Sequence, residues 1–254
     1  MNKRIEAGRR GKIGGHNFEK AFAKYYNLGE ESVEGGGRTK VDIRLHSYNL
    51  SLKNPSKSHT QVALISQNSW LEAFNVTEDF QDFIHLFFGH PNINTIKEIC
   101  CKYEIDFSSL APAQEVKRQR LLASSLPSQL RILVIDWFND NLGDIFEALF
   151  ISGINQVDSV DIIGWAWMKD EVNSVRFYNL NLIKNDFINY SRWRISPTHS
   201  TLWCEMNGEK ILHLQMKGSG APKYISWGYH SMMFHMYNAL LKEKYELTIK
   251  EVFC

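Results

Sequence analysis

Apolar and polar positions change rhythm several times along this chain, and each change marks an element. From Asn17 to Asn27, Phe18, Ala21, Phe22 and Tyr25 fall on one helical face, with Gly14, Gly15 and Asn17 as punctuation at its start. Gly35-Gly36-Gly37 then breaks the chain. Lys40 to His46 alternates as a strand, Tyr48 and Asn49 make a turn, and Leu50 to Lys53 reads as a second strand stopped by Asn54-Pro55-Ser56. Helical spacing returns over Val62–Phe74, Glu78–Phe88 and Ile93–Cys101, and over a long run from Leu126 to Ile151 with a break near Gly143. Beyond Val157 the period shortens. Val157–Met168, Ser174–Ile183, Thr201–Met206 and Lys210–Lys217 read as strands, Ser226–Lys242 as a helix and Tyr245–Val252 as a closing strand.

This order predicts an α/β fold: a central mixed β-sheet flanked by helices, with a helical insertion at about residues 76–151. The 254 residues are read as a single domain over 1–254, long enough to bury a substantial core. A hydrophobic share of 44% with 22% charged residues is that of an ordinary globular chain and argues against a disordered one. The net charge of +1 hides a local excess: the first 60 residues hold twelve Lys/Arg against six Asp/Glu. Cys100, Cys101, Cys204 and Cys254 show no CxxC spacing, so neither a zinc site nor a disulfide framework is expected. That usage, an amino terminus without an apolar signal core, and no apolar run of 18 residues predict a cytoplasmic protein with no membrane span.

Candidate chemistry gathers in Thr39-Lys40-Val41-Asp42-Ile43 and Ser51-Leu52-Lys53. If Asp42 ends one strand and Lys53 sits on its hairpin neighbour, the two side chains converge at one sheet edge. Ser51 and Lys53, two apart, share a strand face, while Leu52 points into the core. Asp42 then offers oxygen to a hard divalent cation, with the Leu52 carbonyl as a further oxygen. Lys53 is placed to orient a water and to offset developing negative charge.

These residues resemble the PD-(D/E)XK nucleases, and within them the type II restriction endonucleases. The likeness spans roughly residues 11–75: a helix carrying Glu19, a strand carrying Asp42, then Ser51-Leu52-Lys53 where the family has an acidic residue, any residue and lysine. Ser51 departs from that pattern and raises the weight on Glu19 as a substitute ligand. The resemblance implies a Mg²⁺-dependent endodeoxyribonuclease that cuts double-stranded DNA at a short sequence, leaving a 5′-phosphate and a 3′-hydroxyl. Glu19, Asp42, Ser51 and Lys53 would be its catalytic residues, and Asp42, Glu19 and the Leu52 carbonyl its metal ligands. It would act as a monomer or homodimer. Two other readings stay open: a structure-selective nuclease of repair or a mobile element, and a non-catalytic DNA-binding protein on a decayed nuclease fold.

DNA contacts are expected from Arg10, Lys12, Arg38, Lys40 and Lys57, where amines and backbone amides meet phosphates, with Lys57 to Thr60 at a helix start. Later, Leu214-Gln215-Met216-Lys217-Gly218 resembles a Gln-x-Lys-Gly strand of some four-base-site restriction enzymes. Gln215 and Lys217 share a face suited to adenine and guanine edges, with Lys223 in the glycine-containing loop beyond, so residues 157–225 are the expected recognition strands and loops. Trp165, Trp167, Trp193, Trp203 and Trp227 are read as core or rim packing rather than base-stacking platforms. Asp136, Asp140, Asp144 and Glu147 are read as a solvated face.

Overall fold

A computed structural model describes residues 3–34, 40–88, 90, 92–107, 128–154, 158–195, 201–218 and 230–253. The chain divides into two compact units: residues 1–60, 143–190 and 236–254 form the first, and residues 61–142 and 191–235 the second. Each is built around its own five-stranded sheet.

The first unit holds helix α1 (Lys3–Tyr25) and strands β1 (Ile43–Arg44), β2 (Asn49–Lys53), β4 (Ile162–Ala166), β5 (Val175–Asn179) and β10 (Glu246–Leu247), in the order β1-β2-β4-β5-β10. β2 runs parallel to β4 and the other neighbours are antiparallel, which gives the expected mixed sheet. α1 ends where Asn27 takes a positive φ of 53°. There Leu28 N–H reaches the Ala23 carbonyl at 2.8 Å and Asn27 N–H that of Lys24 at 3.2 Å, satisfying carbonyls at the helix end. Phe18 and Phe22 of α1 pack on Ile43, Leu50, Leu52 and Phe177. β4 is a wholly buried run, Ile-Ile-Gly-Trp-Ala. A Cβ on its Gly164 would lie 2.7 Å from Leu52 Cδ2, so glycine is what lets β2 and β4 carry Leu52 between them.

The second sheet has the order β3-β9-β8-β7-β6, from β3 (His59–Ile65), β6 (Ser191–Ile195), β7 (Leu202–Met206), β8 (Glu209–Gly218) and β9 (His230–Tyr237). One face carries the aromatic core of the second unit. Trp193 packs at 4.9 Å in a tilted contact on Phe138 of the helix Ser128–Asp140, and Phe234 stacks at 5.3 Å on Trp70 of the helix Gln67–Ala73. Phe80, in the helix Glu78–Phe88, closes on Phe138 at 5.9 Å.

Several sequence expectations are corrected. Val62–Phe74 is not one helix. β3 runs through Ile65, burying Ala63 and Ile65 alternately, and the helix begins at Gln67, capped by Ser66, whose hydroxyl accepts from Ser69 N–H at 3.1 Å. Lys57 therefore precedes a strand, not a helix start. The segment expected as a helix over Ser226–Lys242 contains β9, in which Met232, Phe234 and Met236 are buried at period two. The strand expected over Ser174–Ile183 stops at Asn179. That residue's side chain caps a helix, Leu180–Tyr190, by accepting from Asn181 and Leu182 N–H. At the carboxyl end only Glu246–Leu247 is strand, and Thr248 with Glu251 forms a capping box for the helix Ile249–Phe253. α1 also runs through Gly14 and Gly15 instead of starting after them.

Candidate active site

Asp42 stands just before β1, fixed by backbone bonds on both sides: its N–H donates to Leu50 O at 2.9 Å and its carbonyl accepts from Glu34 N–H at 3.0 Å. The β1–β2 pairing then sets Ser51 and Lys53 beside it. Asp42 Oδ2 accepts from Ser51 Oγ at 3.0 Å and from Leu52 N–H at 2.6 Å, and it lies 3.6 Å from Lys53 Nζ. Lys53 Nζ also donates to Ser51 Oγ at 2.7 Å. Ser51 is buried, and the Asp42 and Lys53 side chains keep 23% and 22% of their surface, enough for a ligand to reach them. The three residues expected at the corner are thus brought into one hydrogen-bonded group, and Leu52 lies in the core between Ser51 and Lys53.

Glu19 faces the same place from α1. Burial, and then the charge of Asp42, raises its carboxyl above the ordinary value, while the His16 hydrogen bond and the charge of Lys53 pull it back. His16 Nδ1 lies 3.1 Å from Glu19 Oε2, an i,i+3 contact that holds the carboxylate. A buried carboxylate raised by the charge of a second one is the kind of pairing a divalent cation relieves. Among the described residues no hydrogen bond is made to Asp42 Oδ1, and the Glu19 carboxylate is the other oxygen donor within electrostatic reach of it. No group of three or more His, Cys, Asp or Glu gathers among the described residues. Two carboxylates still suit Mg²⁺, which keeps several of its waters.

Lys40, expected as a DNA contact, is half-buried. Its Nζ donates to the Leu149 carbonyl at 2.7 Å, and its stem runs over Gly153, where a Cβ would lie 3.2 Å from Lys40 Cε. Burial foremost, then the charge of Lys53, pushes its amine down to about 8, against the pull of Asp42. Lys40 is therefore, with Glu19, a second charged neighbour of the corner. Lys57 is exposed in the turn before β3, and Gln215 on β8 has its amide nitrogen 3.1 Å from His235 Nε2. Arg38 and Lys223, and the side chains of Arg10, Lys12 and Lys217, lie outside the described residues.

Sequence reasoning missed His16 and the Leu149–Gly153 seat of Lys40. The His16–Glu19 spacing on one helix was a usable signal; the seat, more than a hundred residues from Lys40, gave none. A cavity of about 590 Å³ lies on the His16 side of α1, lined also by Lys20, Lys24 and Asn27. Of the tryptophans, Trp165 and Trp193 are core, while Trp167 is exposed. Asp136, Asp140 and Asp144 are exposed, and Glu147 pairs with Lys184 at 2.7 Å. The chain matches no protein-family model and no curated protein. Among the described residues no helix is long and apolar enough to cross a membrane.

Proposed function

We propose that this chain is a Mg²⁺-dependent endodeoxyribonuclease of the type II restriction kind, cutting double-stranded DNA at a short sequence in the cytoplasm. The observation that carries the reading is the convergence of Asp42, Ser51 and Lys53 at the β1–β2 edge, with the Glu19 carboxylate within electrostatic reach. Asp42 and Glu19 would hold the ion, whose chemistry is to polarise the scissile phosphate and lower the pKa of a water. Ser51, lacking a carboxylate, fixes Asp42 and Lys53 relative to each other through its one hydroxyl. Lys53 orients the attacking water and offsets the charge that builds on the phosphate oxygens. Attack breaks the bond from phosphorus to the 3′ oxygen, leaving a 5′-phosphate and a 3′-hydroxyl. Gln215 sits on a strand of the second unit with a side-chain amide suited to an adenine edge.

The test is digestion of a mapped, unmethylated DNA with Mg²⁺, followed by run-off sequencing of the ends. Discrete fragments are expected. Lys53→Ala should lower the single-turnover rate by about 10²–10³-fold, the usual loss for one preorganised donor. A smear or junction-specific cutting would favour a structure-selective nuclease. No cleavage and no Mg²⁺ or Mn²⁺ binding by calorimetry would favour a decayed, DNA-binding fold. Full activity in Lys53→Ala would remove the assigned site.

A further inference from the structure

The second sheet has two unlike faces. Opposed residues of antiparallel strands share a face, and the registers Arg192↔Glu205, Arg194↔Trp203 and Trp203↔His213 place these residues together, away from Trp193 and Leu202. A bulge at Cys204/Glu205 brings Lys210 opposite Glu205 and onto the same face. Trp203 stands in the middle. The Arg194 guanidinium lies 4.7 Å from its ring centroid and Lys210 Nζ 4.0 Å, the two cations coming from the strands on either side. Glu205 bonds Arg194, and Arg192, Arg194 and Lys210 bring three cations to this described part of the face. Arg192 is exposed, the Arg194 side chain keeps 43% of its surface, and Trp203 and Lys210 are half-buried.

We infer that this face is a docking platform for the sugar-phosphate backbone of duplex DNA. The inference rests on DNA being the ligand of the proposed function. With a cation already held over its ring from each neighbouring strand, Trp203 is poorly placed to stack on a base. It acts as a rigid post against which Arg194 and Lys210 are held, and ordering them in advance lowers the entropy lost on binding. Fixed cations of this kind contact phosphates and carry no sequence information. Their contribution is therefore separate from that of Gln215, which lies further along β8 beside His235, whose ring stacks on His213 at 4.6 Å.

The experiment measures anisotropy of a labelled 30-base-pair duplex, with Ca²⁺ replacing Mg²⁺, across a series of salt concentrations. Each phosphate that is no longer neutralised lowers the slope of log affinity on log salt by about 1. Arg194→Ala combined with Lys210→Ala should lower the slope by about 2, equally on cognate and unrelated duplexes. Arg194→Lys combined with Lys210→Arg should keep it. An unchanged slope in the double alanine variant overturns the inference, and so does an equal drop in the charge-keeping variant, which would trace the effect to folding. The outcome is separable from that of the nuclease reading. A slope that falls by about 2 in the double alanine variant of a chain that never cuts supports the platform and removes the enzyme, whereas cutting with no slope change in the double variant does the reverse.

Discussion

Replacing Ser51 by aspartate adds a third carboxylate to the proposed metal site, and its effect can be worked from the structure. A negative charge at the Ser51 Oγ position would lie 3.0 Å from Asp42 Oδ2 and 2.7 Å from Lys53 Nζ. At an effective dielectric near 20 those contacts are worth ~5 kcal/mol of repulsion and ~6 kcal/mol of attraction, so they nearly cancel. What remains is packing. Ser51 is only 5% exposed, and enlarging a side chain there costs about 1–3 kcal/mol. Without metal, Ser51→Asp should therefore melt about 2–10 °C below wild type. Mg²⁺ should then reverse the balance. A third carboxylate that tightens the ion tenfold adds ~1.4 kcal/mol, a further rise of about 3–5 °C over the wild-type shift at saturating metal. Ser51→Asn is the matching control, because it adds nearly the same volume without the charge and should lose stability with no Mg²⁺ gain beyond the wild-type shift. The assay is a thermal melt of the three proteins with and without Mg²⁺, checked by calorimetric titration. Equal Mg²⁺ shifts in wild type and Ser51→Asp would refute the assignment of this corner as the metal site.

Three further outcomes rest on the same geometry. Glu19→Gln should raise the metal-free melting temperature at pH 7 and shrink the Mg²⁺ shift. Its folded carboxyl is raised by burial and by Asp42, so its contribution to stability is full below the ordinary 4.5 and is lost as pH rises through the folded value; a lower melting temperature at pH 7 would contradict this. For Lys40 the folded amine, at about 8, lies below its ordinary 10.5. The unfolded chain then binds more protons between those values, so stability rises with pH across the window by ~3 kcal/mol at most. Urea melts of Lys40→Met at pH 7 to 10.5 should show that rise removed. Gly164→Ala would push a methyl to 2.7 Å from Leu52 Cδ2 and 3.2 Å from Val175 Cγ1, costing about 1–3 kcal/mol by urea denaturation and lowering cleavage with it, since Leu52 lies between Ser51 and Lys53.

The amino-terminal corner was legible because everything it needs is local. Asp42, Ser51 and Lys53 belong to one hairpin, and a turn between two short strands fixes their approach with little help from the rest of the chain. The helices Glu78–Phe88 and Ile93–Lys102 were legible for a similar reason, each carrying a strong apolar stripe of its own. The failures lie where period and length disagree. Val62 to Phe74 has apolar residues that fit a helix when counted together, yet Ser66 divides it, and the half before that cap alternates as a strand. Ser226 to Lys242 fits a helix by composition, but Met232, Phe234 and Met236 alternate strictly with half-buried neighbours over the strand. Asn179 and Thr248 are cap residues whose signals were present in the sequence and were outweighed by apolar content nearby.

The same contrast explains why the basic face of the second sheet escaped a reading of the sequence. Arg194, Trp203 and Lys210 are separated along the chain and belong to three strands, so nothing in their spacing joins them. Their proximity depends on the β6–β7 register and on the bulge at Cys204/Glu205, which moves Lys210 onto the face of Trp203. Without the bulge, Lys210 would be a single residue out of step and would point toward the aromatic core, where a lone ammonium is strongly disfavoured. A register feature of this kind is set by tertiary packing, here by Leu212 and Leu214 seating beside Cys204 and Leu202. The site proposed for cutting is thus written in adjacent residues, while the face proposed for holding DNA is written in how distant strands align.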